Sequence, residues 1–225
     1  MNQIELITMF FAGGLILATF LMVGKLRLMQ MLRYFAIASF FLAALGASVA
    51  IFRGDHEPFI GPIATVLFKV IFIPAIIYFT SKRVPSSNHL KMYVRPATTY
   101  FLFALILIIS GVIIRNLPID FGNAITTSTI IFSKILVFIS VALVLTGLLL
   151  TIIRKDLFSQ VLGLLTMENG IATFGLVALG GMPLFLEMGI FFVIIVSTVI
   201  LAYLTQKVHE EYSAGDTTSL NELFD

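Results

Sequence analysis

A chain of 225 residues that is 59% hydrophobic and 12% charged, where an average soluble domain is about 25% charged, has too little polar surface to fold as a soluble globular domain. Its formal net charge of +2 resides mostly in basic loops, so it reports membrane topology rather than nucleic-acid binding. The absence of cysteine removes the thiolates that would hold an iron–sulfur cluster, a nickel ion or a cysteine-ligated haem, and no cofactor is expected.

The composition predicts an all-α polytopic membrane protein. Seven apolar spans are readable, at about 4–24, 32–52, 59–80, 97–115, 125–153, 157–179 and 185–205. They form one transmembrane domain over 1–206, followed by a tail over 207–225. Each must be a helix, because a segment alone in lipid has to satisfy its own backbone polar groups. The first span lacks a basic leader and a small-residue cleavage signal, so it reads as a retained helix.

Orientation follows from Lys and Arg. The loops after spans 1, 3 and 5 and the C-terminal end carry Lys25, Arg27, Arg33, Lys82, Arg83, Lys91, Arg95, Arg154, Lys155 and Lys207, whereas the opposite loops carry Arg53 and Arg115. The positive-inside rule then puts the N-terminus outside and the C-terminus in the cytoplasm.

Four ionisable residues fall within apolar spans: Lys69, Lys134, Glu168 and Glu187. Lys69 and Glu168 are each near mid-span, and Lys134 and Glu187 share the outer half. Two depth-matched pairs are therefore expected, Lys69 with Glu168 and Lys134 with Glu187. A carboxylate at the centre of a membrane needs a partner, an altered ionisation or an ion path, which makes Glu168, with Asn169 beside it, the leading site. The residues also permit a plainer reading, in which Glu168 and Asn169 lock helices together by hydrogen bonds. For Lys134 and Glu187, reach to the headgroups is the equal alternative.

Shifting the sequence by 130 positions lays Lys25 on Lys155, Gln30 on Gln160 and Leu32 on Leu162, so helices 1 to 3 and 5 to 7 are expected to be parallel copies joined by helix 4. In the tail, Ser219-Leu220-Asn221-Glu222 has the spacing of a capping box, either a frayed end or a docking segment. His56, His89 and His209 read as solvated side chains, and Gly180-Gly181-Met182-Pro183 as an outer turn.

Leu164-Leu165-Thr166-Met167-Glu168-Asn169-Gly170, with Ala178-Leu179-Gly180-Gly181-Met182-Pro183 and Glu187-Met188-Gly189-Ile190, resembles hydrogenase-4 component E, a membrane subunit of formate hydrogenlyase and other group 4 [NiFe]-hydrogenase complexes. Phe68-Lys69-Val70-Ile71-Phe72-Ile73-Pro74 resembles that family's lysine-bearing third helix, and Gly215-Asp216-Thr217 its tail. The last three spans are more loosely similar to the K-type subunit of complex I and the C subunit of Mrp antiporters. Aligned on Gly163, the K-type glutamate falls on Leu165, and Val193 stands where the family carries a second acidic residue. The resemblance implies a non-redox subunit that is not an enzyme alone. It would lie in the inner membrane beside antiporter-like and hydrogenase-module subunits, with no nucleic acid, and help couple electron transfer elsewhere to proton or sodium movement. Glu168 would be the carrier, Lys69 its tuner, and Lys134 with Glu187 the link to the outer half. The alternative is a structural subunit whose buried charges only hold neighbours in register.

Overall fold

The computed structural model describes residues 3–53, 60–81, 92–116 and 127–178, with Val199 and Tyr203. The described segments are helical. α1 spans Gln3–Val23 and α2 Leu28–Arg53. α3 covers 60–81 in three stretches: α-helical Ile60–Thr65, a π-helical stretch Val66–Phe72 and α-helical Ile73–Ser81. α4 spans Pro96–Asn116, α5 Thr127–Ile153 and α6 Leu157–Ala178. Among the described residues, α1 to α5 are long and apolar enough to cross a membrane. α6 has similar length but carries Gln160, Thr166, Glu168, Asn169 and Thr173. Apart from Val199 and Tyr203, the seventh span and the tail lie outside the described residues, as do Glu187, His56 and His89.

Local chemistry sets the helix ends. α2 starts at Leu28, earlier than the apolar run begins, because the carbonyl of Arg27 accepts the N–H groups of both Gln30 and Met31 at 3.0 and 3.1 Å. Pro96 opens α4, a position where a proline loses no helical hydrogen bond. Asp156 caps α6, its Oδ1 accepting the N–H of Ser159 at 2.8 Å.

Two antiparallel hairpins, α1/α2 and α5/α6, are the most intimately packed pairs, and α2 also packs on α3 and α6. One apolar core gathers the end of α1, the start of α2, the second half of α3, the end of α5 and the start of α6, with Met22, Phe35, Ile73, Leu150, Leu162 and Leu165 at its centre. A second joins α1, α2 and α5 through residues such as Leu15, Leu42 and Leu143. The outward faces show Phe10, Phe40, Ile71, Phe101, Ile108 and Ile152. Such a continuous apolar surface suits lipid and not water.

The hairpins correspond under the 130-residue shift. It carries Val23, which ends α1, onto Ile153, which ends α5, and carries Leu28, which starts α2, to the residue after the start of α6. Buried Met31, Leu32, Phe35, Ala38 and Ser39 map onto buried Val161, Leu162, Leu165, Glu168 and Asn169. Ser39 and Asn169, equated by the shift, touch one another.

Candidate functional site

The site lies one helical turn beyond the first core, at Lys69, one turn before Ile73 on α3, and at Glu168, one turn after Leu165 on α6. Lys69 sits inside the π-turn. There the N–H of Ile73 bonds to the carbonyl of Phe68, five residues back, and Pro74, which follows, has no N–H to give. The wider turn and the proline open the regular ladder around Lys69, a distortion that recurs where helices carry functional groups.

The side chain of Lys69 is 1% exposed and spans from α3 to α6. Its ammonium pairs with Oε1 of Glu168 at 2.7 Å and donates to Oδ1 of Asn169 at 2.8 Å. The amide Nδ2 of Asn169 donates in turn to Oγ of Ser39 on α2 at 3.3 Å. Three helices are thereby tied by one chain of polar contacts, Glu168 to Lys69 to Asn169 to Ser39. The second carboxylate oxygen, Oε2 of Glu168, is buried and accepts no hydrogen bond from the described residues.

What holds α6 in place is a glycine seam against α5. A Cβ on Gly147 would collide with the backbone of Met167 and Gly163; one on Gly163 would lie 2.6 Å from Oγ1 of Thr151; one on Gly170 would lie 2.7 Å from the carbonyl of Ser140 and the N of Val144. Bare backbone lets the helices approach closely, the usual route to tight packing where lipid supplies no hydrophobic drive between helices. Glu168 and Asn169 lie between two of these contacts, so their position across from Lys69 is fixed by α5.

Most other buried hydroxyls of the bundle are satisfied within their own helices. Thr19, Thr146, Thr166 and Thr173 each donate to the carbonyl four residues back, and Ser48 and Ser140 to the one three back. Ser39 differs in taking a partner on another helix. The sequence offers no charge or motif to single it out; the 130-residue shift from Asn169 is the one signal that points to it.

Lys134 is exposed on α5. Gly170 meets α5 at Ser140 and Val144 and Gly147 meets α6 at Met167, so Lys134 lies about three turns from the level of Glu168 and is separate from the Lys69 pair. Among the described residues, no cluster of three or more His, Cys, Asp or Glu is placed to hold a metal ion. Chemically, the group brings one carboxylate, one ammonium and one amide into direct contact inside the bundle.

The chain is 21% identical over 192 residues to hydrogenase-4 component E of Escherichia coli K12, covering 84% of each protein, and the Shigella flexneri protein of that name matches to the same extent. An uncharacterised protein of Mycobacterium tuberculosis H37Rv is 24% identical over 217 residues, 96% of this chain and 95% of the relative. No family model and no solved structure matches. The chain is thus a membrane protein, helical throughout its described spans, with a distant similarity over 84% of its length to hydrogenase-4 component E.

Proposed function

We propose that this chain is a non-redox membrane subunit of a hydrogenase-type, complex-I-like ion-translocating complex, and that Glu168 carries the translocated proton, or exchanges it against sodium. The observation that carries this reading is the buried Lys69 pair with Glu168, whose Oε2 has no donor among the described residues. Buried ion pairs are poor stabilisers, since desolvation offsets most of their attraction, so three helices' worth of polar contacts in a lipid-facing bundle argues for use. A proton bound at Oε2 turns Glu168 into a neutral acid and weakens the hold of Oε1 on Lys69, which stays tethered by Asn169. Loss of the proton restores the pair. Lys134 and Glu187 would continue the path in the outer half.

The similarity to hydrogenase-4 component E supports a setting among antiporter-like and hydrogenase-module subunits in the cytoplasmic membrane. Orientation with the N-terminus outside is supported by the clustering of basic residues at one end of the bundle, where Arg154 meets the end of α1 and Tyr93 meets the end of α5. The second reading, a subunit that only holds neighbours in register, is favoured by the Asn169 contact with Ser39, which ties α2 to α6 without any titrating group. Glu168→Gln separates them, because it keeps size and hydrogen bonding but carries no proton. In the assembled complex, reconstituted in vesicles, we expect electron transfer to persist and ion translocation to be lost. Normal ion-to-electron stoichiometry would leave the register role standing.

A further inference from the structure

A second group of buried polar atoms lies where α5 turns into α6. Arg154 is fully buried, and it joins four pieces of chain: its Nη2 donates to the carbonyl of Val23 at 2.8 Å, its carbonyl accepts from Nε2 of Gln160 at 2.9 Å, and the residue before it accepts from the N–H of Tyr93 at 3.0 Å. Yet among the described residues Nε and Nη1 of the same guanidinium have no hydrogen-bond partner, and neither do Oδ2 of Asp156 and Oγ of Ser159, all of them buried atoms. Asp156 attracts Arg154 electrostatically without forming an ion pair with it, and burial holds the guanidinium below its ordinary pKa.

The four atoms restrict what can sit among them. Nε and Nη1 lie on different edges of a planar fork, with Nη2 between them, so one small ligand cannot serve both. An anion would suit Arg154 but has no proton for Asp156, which repels it. A metal cation would suit Asp156 and Ser159 but is repelled by Arg154. Water both donates and accepts, and buried waters characteristically satisfy groups of this kind. We infer that the Arg154, Asp156 and Ser159 junction is a built water site, holding at least two buried waters that bridge the guanidinium to the carboxylate and the hydroxyl. The waters are confined there, because Phe158, Val161, Leu162 and Leu165 of the first core separate the junction from Glu168.

X-ray hydroxyl-radical footprinting of the purified protein in lipid nanodiscs tests this, since radicals form at bound water and modify side chains beside it. Phe158 adjoins Ser159, whereas Phe35 and Phe103 are buried in the same core away from the junction. Phe158 should be modified several-fold faster than either, and Arg154→Met combined with Ser159→Ala should remove the contrast. Should that double variant not fold, Ser159→Ala alone must reduce it. Equal rates for the three phenylalanines, or a high-resolution map showing a direct Arg154 to Asp156 ion pair or a bound chloride or phosphate at the guanidinium, would overturn the water site.

Discussion

Taking away the ammonium and taking away the carboxylate strand different groups. Lys69→Met leaves Glu168 buried with neither oxygen paired, a loss of about 3–5 kcal/mol for a broken buried pair. Glu168→Gln leaves Lys69 between two amide oxygens, the new one and that of Asn169, and should cost about 1–3 kcal/mol. Because each single change already disrupts the shared contact, the double variant should lose less than the two losses summed. Thermal unfolding of the four proteins in detergent measures the cycle, and strict additivity would show that the two groups do not act as a unit. These two residues were legible beforehand, since charge at mid-span is rare enough to stand out. Ser39 was not, because a buried hydroxyl in an apolar run commonly bonds its own helix, as Thr19 and Ser140 do here.

On α6 the charge is only as well placed as its backbone. Gly170→Ala puts a methyl group 2.7 Å from backbone atoms of α5, so α6 must move away. Overpacking of this kind costs about 1–3 kcal/mol, and the shift should also lengthen the Lys69 contacts and lower ion coupling. Gly13→Ala is the control: its Cβ meets nothing within 4 Å, and the change should be neutral or stabilising by up to about 1 kcal/mol. Unfolding temperature and translocation, measured on both variants, check the contrast; equal behaviour would rule out the seam as the positioning device. Hydropathy showed where these helices run but not how they meet. A glycine facing lipid and a glycine facing a backbone look alike in a sequence, and Pro74 announced a break near Lys69 without fixing its form as a π-turn.

Across the molecule, basic residues gather where the hairpins turn. Lys25 stacks on Tyr34 and Lys155 on Tyr93, at 5.0 and 4.4 Å from the ring centres, as suits an interface between lipid and water. A reporter fused after Asp225 should therefore be active only in the cytoplasm, and a signal from the outer side would reverse the assigned orientation. The contact of Ser39 with Asn169 has a deeper consequence. Ser39 and Asn169, equated by the 130-residue shift, meet as equivalent residues do beside the axis of a symmetric homodimer, where each such residue faces its own twin. There, a glutamate beside the axis would come as a pair of glutamates. Here Ala38 occupies the counterpart position of Glu168. The two hairpins differ at this position, so a single carboxylate stands where exact two-fold symmetry would demand two or none.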